Sequence, residues 1–257
     1  MQKTAVITGG ASGIGKASAF TLGREGYQIA LLDIQKERLT VVQQQLTDKG
    51  VSSIALEANV SKEEDVKKAV DQVVSHFGQI DVVFSNAGIN GTFAPIEHLK
   101  EEDWDSTMGV NHKSAFLITK HTVPHLKETK GVLIYTSSVN GTRTFSNFGA
   151  SLYSSAKAAQ IAFMKMAAVE LGRFGIRANA ICPGAIATNI GENTHAHSSQ
   201  LKEVAIPTEY PNGRHVLHEG AAPAQKVADL VSFLCSEKAS HLSGTEIFID
   251  GADSLFP

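Results

Sequence analysis

Cysteine is scarce in this chain: Cys182 and Cys235 stand far apart, and neither belongs to a C-x-x-C pair. A disulfide framework and a thiolate metal site are both poorly supported. Long apolar runs are missing too. No stretch approaches the roughly 20 residues that cross a bilayer, and the first apolar run, Ala5-Val6-Ile7, is too short for the core of a signal peptide. One-sided charge is also absent, since 23 basic residues face 26 acidic ones for a net of −3. A protein that grips nucleic acid carries a basic face, and nothing here supplies one. No internal repeat, low-complexity block or Pro/Ser-rich linker marks a boundary. What remains is 257 residues, 42% hydrophobic and 19% charged, enough to bury a large core. The expectation is one domain over residues 1–257, cytoplasmic and reduced, with no membrane or nucleic-acid partner.

A strand-like run followed by a helix-like run recurs along the chain. The strand candidates are Lys3–Thr8, Gln28–Leu32, Ser53–Ala58, Asp81–Ser85, Val132–Ser137, Arg177–Ile181 and Glu246–Ile249. Several are nearly continuously apolar, as parallel strands covered on both faces are. Between them lie amphipathic stretches. The one after Ser61 opens with Ser61-Lys62-Glu63-Glu64, a capping-box pattern, and places Val66, Ala69, Val70, Val73 and Val74 on one stripe. Gly26, Gly50 and Gly78 follow predicted helices where a left-handed cap is wanted. The alternation predicts an α/β fold, a Rossmann-type doubly wound parallel sheet of about seven strands with helices on both faces. The rhythm breaks between 187 and 222. That stretch is rich in His, Asn and Glu, with few apolar anchors, so 185–222 is expected to form a mobile cover on the substrate side.

The segment Thr8-Gly9-Gly10-Ala11-Ser12-Gly13-Ile14-Gly15 follows the first strand and leads into the first helix. Glycines there let the backbone turn tightly and approach a pyrophosphate, whose charge meets the helix N-terminal N–H groups. About 20 positions on, Asp33 ends the second strand. A carboxylate at that point accepts hydrogen bonds from ribose hydroxyls and repels a 2′-phosphate. No basic residue sits at Ala11 or Ser12, and Ile34 follows Asp33. NAD(H) is therefore preferred over NADP(H).

Tyr153 and Lys157 are four residues apart, which places the phenol and the ammonium on one helical face. A free tyrosine has a pKa of about 10, and a nearby cation favours the phenolate, moving a poor proton carrier toward the working range. Upstream, Ser138 ends a strand, with Ser137 as the alternative donor beside it.

With TGGASGIG, Asn86-Ala87-Gly88, Ser138 and Tyr153/Lys157 in this order, the chain resembles the compact, single-domain branch of the short-chain dehydrogenase/reductase family, from Lys3 to about Gly251. The resemblance implies hydride transfer to or from a nicotinamide, a small alcohol or carbonyl substrate, and a homotetramer or homodimer. It implies Tyr153 as general acid/base, with Lys157 lowering its pKa and holding the nicotinamide ribose. Ser138 would donate to the carbonyl or alkoxide oxygen, and Asn111 would interrupt its helix and hold a water in the proton relay. Gly9, Ser12, Gly13, Ile14 and Gly15 match the phosphate turn, Asp33 and Ile34 the ribose end, and Asn59 and Val60 the adenine side. Asn86, Ala87 and Gly88 match the turn that supports the cofactor. Pro183, Gly184, Ile186 and Thr188 match the nicotinamide side, in the pattern P-G-x-I-x-T. The chain departs from the family in one respect. Fourteen residues, Val139 to Leu152, separate Ser138 from Tyr153, slightly more than the commonest spacing, so an enlarged loop over 140–151 is expected.

Other residues weigh less. His195, His197, His215 and His218 have spacings that could hold a metal, but no carboxylate or cysteine framework accompanies them, so no metal is expected. Cys182 reads as a small buried filler, and Trp104 as a core or interface anchor. Arg143 is either a solvated arginine or a partner for a substrate carboxylate. Phe93, Phe145 and Phe148 are candidates for the pocket wall. The leading expectation is an NAD(H)-dependent oxidoreductase of secondary alcohols and ketones; the alternative is a 3-oxoacyl-thioester reductase on the same scaffold. A non-catalytic dinucleotide sensor ranks below both, because such a protein would be expected to lose the tyrosine or the lysine.

Overall fold

A computed structural model of the chain describes residues 2–206, 215–217 and 219–255. Of the residues singled out above, His218 lies outside these, as does the stretch 207–214 of the expected cover. In chain order the first half holds β1 (Thr4–Thr8), α1 (Gly13–Arg24), β2 (Gln28–Asp33), α2 (Lys36–Thr47), β3 (Ser53–Glu57), α3 (Glu63–Phe77), β4 (Val82–Ser85) and β5 (Gly91–Phe93). Next come α4 (Glu101–Met108), a π-helical turn (Gly109–Lys113), α5 (Ser114–Thr129), β6 (Val132–Thr136), α6 (Ser151–Gly172) and β7 (Arg177–Pro183). The remainder is β8 (Ile186–Ala187), β9 (Thr194–Ala196), α7 (Ser198–Val204), β10 (Ala222–Pro223), α8 (Ala224–Cys235) and β11 (Glu246–Ile249).

Seven strands form one sheet in the order β3-β2-β1-β4-β6-β7-β11, every neighbour parallel. Their side chains alternate between two buried layers, as a pleated strand requires. Val6, Ala30, Leu32, Val83 and Leu133 pack toward the helices that carry Val66, Leu117 and Met164. Ala5, Ile7, Ile29, Leu31 and Phe84 point the other way, onto the layer of Leu22, Leu39 and Val231. Both faces being covered explains why the strands read as continuous apolar runs. The chain leaves β1 for β2 on one side and returns to β4 on the other, so a crevice opens beyond the carboxyl ends of β1 and β4. No helix among the described residues is long and apolar enough to cross a membrane.

Several expectations need correction. The Ser61 capping box does not form, because Asn59 Oδ1 takes both the Ser61 hydroxyl (2.7 Å) and its N–H (3.0 Å). The helix begins at Glu63 instead, although its stripe of Val66, Ala69, Val70 and Val73 is buried as expected. β7 runs two residues beyond the predicted end, since β11 pairs alongside it as far as Pro183. Trp104 is 48% exposed and is no core anchor. The cover is pinned more than its composition foretold. β9 pairs with β5, β8 pairs with β10, and the His197 N–H donates to the Phe93 carbonyl at 2.9 Å. Those anchors are backbone hydrogen bonds, which a count of apolar residues does not register.

Candidate active site

The turn after β1 is built by close approach. Gly9 and Gly13 have φ of 66° and 50°, and a Cβ on Gly15 would lie 2.1 Å from the Gly9 carbonyl oxygen. Only glycine tolerates that combination. The first intrahelical bond of α1 runs from Lys16 N–H to the Ser12 carbonyl (3.0 Å), so the N–H groups of Gly13, Ile14 and Gly15 precede the helix's first bonded donor. They form a donor cluster at the positive end of the helix dipole, suited to a pyrophosphate. Thr188 closes the turn from the opposite side, its Cγ2 standing 3.0 Å from where a Cβ on Gly13 would be. The crevice edge is stitched by side chains. Thr8 Oγ1 accepts from the Asn86 and Ala87 N–H groups at 2.9 and 3.0 Å, and Thr136 Oγ1 donates to Asn86 Oδ1 at 3.1 Å. Neither threonine stood out in the sequence, because threonine at a strand end has many ordinary uses.

Asp33 points back into this turn. Its Oδ2 accepts from Ala11 N–H and its Oδ1 from Gln35 N–H, each at 3.1 Å. A carboxylate has about four lone-pair sites, so both oxygens retain capacity for ribose hydroxyls. Ile34 is 61% exposed beside it, and Arg38, the nearest arginine lining the cleft, is engaged with Glu192 at 3.0 Å.

On the substrate side the two adjacent serines separate. Ser137 Oγ donates to the Lys157 carbonyl at 2.8 Å and is used up structurally, leaving Ser138 as the available hydroxyl. The turn after Ser138 (Val139–Gly141) lies against α6: a methyl group on Gly141 would sit 3.0 Å from the Lys157 carbonyl carbon. Gly141 was not singled out by sequence reasoning, although Asn140-Gly141 is a turn signature. One helical turn separates Tyr153 from Lys157 on α6. Lys157 is buried, its ammonium donates to the Thr136 carbonyl at 2.8 Å, and desolvation lowers its pKa to about 8.

The phenol does not behave as the spacing foretold. Burial pushes the Tyr153 pKa above its ordinary value, and the Ser138 hydroxyl pulls it only partway back. The Lys157 ammonium, 5.6 Å from the ring centroid and turned toward Thr136, does not offset the burial. Protonated phenol is thus the form present at neutral pH.

Asn111 does interrupt its helix, inside the π-helical turn, and is fully buried. Its Oδ1 accepts from Ile89 N–H and its Nδ2 donates to the Ile89 carbonyl, both at 2.9 Å. Behind Gly88, Asn111 Oδ1 and Lys157 Nζ converge, 3.0 and 3.3 Å from where a Cβ would lie.

Most of these parts face one cleft of about 660 Å³. Gly9, Ser12, Gly13, Ile14, Asp33, Ile34, Asn59, Val60, Asn86, Ala87 and Gly88 line it at one end. Ser138, Tyr153, Lys157, Pro183, Gly184, Ile186 and Thr188 complete it. Gly15 and Asn111 do not line the cleft; Gly15 packs behind the turn and Asn111 behind Gly88. Of the three phenylalanines only Phe93 reaches it, while Phe145 is 68% exposed. Arg143 also stays outside, stacked 3.4 Å over the Phe248 ring, which removes it as a carboxylate partner. Cys182 is wholly buried in the core, and burial raises its thiol pKa to about 12. Among the described residues no three His, Cys, Asp or Glu side chains gather as a metal site, and His215 Nδ1 lies 2.7 Å from Asp253.

The sequence model of the family described as enoyl-(acyl carrier protein) reductase matches residues 9–252. A 3-oxoacyl-(acyl-carrier-protein) reductase of Staphylococcus aureus is 36% identical over 253 residues, covering 98% of both chains. Levodione reductase of Leifsonia aquatica is 33% identical over 255 residues, covering 98% of this chain and 94% of that one. The crystal structure of a 3-ketoacyl-ACP reductase from Sinorhizobium meliloti superposes with a TM-score of 0.94 at 42% identity, over 99% of this chain and 100% of that one. Two further solved relatives differ in dinucleotide. A 3-ketoacyl-(acyl-carrier-protein) reductase from Brucella melitensis is complexed with NADH (27% identity, TM-score 0.84, 98% of each chain). A short chain dehydrogenase from Burkholderia cenocepacia is in complex with NADP (31% identity, TM-score 0.84, 98% of this chain and 97% of that one).

Proposed function

This chain belongs to the short-chain dehydrogenase/reductase family, and we propose that it is an NAD(H)-dependent ketoreductase in which Tyr153 is the general acid. The family membership makes it an oxidoreductase that uses a nicotinamide dinucleotide. The choice of NAD(H) over NADP(H) rests on Asp33 at the ribose end. Among substrates, the named relatives favour 3-oxoacyl thioesters over an unspecified secondary alcohol, so that class leads. The dione in the second relative's name supports a diketone as the next candidate. Exposed Trp104, Phe116, Met166 and Val169 on α4, α5 and α6 support the homotetramer or homodimer reading.

The convergence of Ser138 and Tyr153 in one cleft with the glycine turn carries this reading. When bound, the nicotinamide supplies the hydride that adds to the carbonyl carbon. Negative charge then develops on the substrate oxygen, and two donors must meet it there. Ser138 donates a hydrogen bond, an oxyanion-type contribution of roughly 10²–10³ in rate. Tyr153 transfers its proton to the same oxygen, and its raised pKa keeps that proton available at neutral pH. Lys157 holds the nicotinamide ribose and stabilises the phenolate left behind. The paired positions of Asn111 Oδ1 and Lys157 Nζ behind Gly88 support a relay water that returns the proton.

Wild-type enzyme should oxidise NADH with a 3-oxoacyl thioester, and NADPH at least about tenfold less efficiently. Asp33→Asn keeps an acceptor for the Ala11 N–H but removes the charge. Loss of a charge-assisted bond predicts roughly 10- to 100-fold weaker NADH binding and a narrower gap to NADPH. Steady-state kinetics with both dinucleotides checks this, and a wild type that already prefers NADPH overturns the assignment of Asp33.

A further inference from the structure

Asn140 holds a position in the cleft that the proposed chemistry leaves unused. It sits in the short turn after Ser138, and its backbone N–H donates to Ser138 Oγ at 3.2 Å. The residue is 6% exposed and lines the cleft. Its side-chain amide has no hydrogen-bond partner among the described residues, and neither amide atom is sealed from solvent. The amide therefore opens to the cleft with its hydrogen-bonding capacity unused by the protein, so a polar group that enters the cleft is its natural partner. Two other polar residues of the lining are already engaged. Asn90 Nδ2 is engaged by Thr194 Oγ1 at 2.8 Å, and Ser137 is bonded to the Lys157 carbonyl.

The charge around it narrows what that partner is. Asp33, Arg38 and Glu192 are the ionised residues at the ribose end, and Arg38 and Glu192 neutralise each other. Lys157 is directed at the Thr136 carbonyl, and Arg143 is stacked on Phe248 outside the cleft. Among the described residues that line the cleft with Ser138 are Asn140, Asn147, Phe93 and Tyr153, and none of these four carries a charge to meet a carboxylate. The packing of Gly141 on the Lys157 backbone holds the turn, and with it Asn140, at a set distance from Ser138.

We infer that Asn140 is a specificity-determining residue whose amide donates to a second, neutral carbonyl beside the one being reduced, so that the enzyme favours dicarbonyl substrates over simple ketones. This rests on the ketoreductase reading and adds to it the residue that reads the second oxygen. Asn140→Leu copies the shape of the side chain without its donors and leaves the backbone bond to Ser138 intact. Asn140→Ala removes the donors without adding a charge, keeps the backbone bond to Ser138, and serves if the leucine variant fails to fold.

The test compares ethyl 3-oxobutanoate with 2-pentanone, following NADH oxidation by wild type and both variants. The dicarbonyl should lose about tenfold in kcat/KM, mainly through KM, while the simple ketone changes less than about twofold. Equal losses on both substrates would mean that Asn140 only supports Ser138, and no loss on either would mean that it reads nothing; each overturns the inference. A wild type that reduces neither compound nor any 3-oxoacyl thioester would remove the ketoreductase reading itself, and the inference with it.

Discussion

Tyr153→Phe is expected to lower kcat for carbonyl reduction by at least about 10²-fold while leaving NADH affinity within a few-fold. The substitution removes one hydroxyl and keeps the ring in place on α6. Ser138 remains to stabilise developing charge, so a residual rate over solution should survive. The pH profile adds a second readout. Reduction needs the phenol protonated and the Lys157 ammonium charged, the first to give a proton and the second to stabilise what is left. The phenol's pKa is raised by burial, and Lys157's is lowered to about 8. The wild-type rate should therefore fall as pH rises through about 8, the side on which Lys157 loses its charge. Initial rates at saturating NADH from pH 6 to 10 show both effects. A Phe variant with wild-type kcat would take Tyr153 out of the proton transfer.

Gly15→Ala is expected to raise the Kd for NADH by at least about tenfold and to lower Tm by several degrees. The new methyl carbon would stand 2.1 Å from the Gly9 carbonyl oxygen and 2.8 Å from Asn86 Nδ2. The first is backbone and the second is bonded to the Thr8 carbonyl at 3.1 Å, so neither yields cheaply. Overpacking of this kind costs roughly 1–3 kcal/mol, and the shift falls on the N–H groups that would face the pyrophosphate. Gly172→Ala is the control. Nothing lies within 4 Å of the Cβ it would add, at the end of α6, so it should be neutral or slightly stabilising. Fluorescence titration with NADH and a thermal melt of both variants separate a specific clash from a general penalty on losing glycine.

The features legible in the sequence are those whose physics is local or periodic. Continuous apolar runs marked strands buried on both faces, and Gly9, Gly13 and Gly15 marked a turn that only bare backbone can make. The spacing of Tyr153 and Lys157 placed them on one helix. What stayed hidden depended on competition for partners across the fold. Ser137 and Ser138 are equivalent in sequence, and only the Lys157 carbonyl, brought near by α6, takes one of them away. Ser61 had the spacing of a cap, but Asn59 reached it first. Arg143 was open to a ligand until β11 set Phe248 beneath it. The Tyr153 pKa followed the same rule: spacing shows that a cation is near, but not that burial outweighs it or that the ammonium faces Thr136.

Hydride transfer itself can be followed by label. NADH deuterated at nicotinamide C4 on the transferred face, mixed with a 3-oxoacyl thioester and wild-type enzyme, should give a 3-hydroxyacyl product with one deuterium on the carbinol carbon. Mass spectrometry and NMR of the product read this directly, and Tyr153→Phe should form the same labelled product at least about 10²-fold more slowly. NADH that binds tightly to wild type but places no deuterium in any carbonyl or dicarbonyl compound offered would contradict the assignment and leave a dinucleotide sensor in its place.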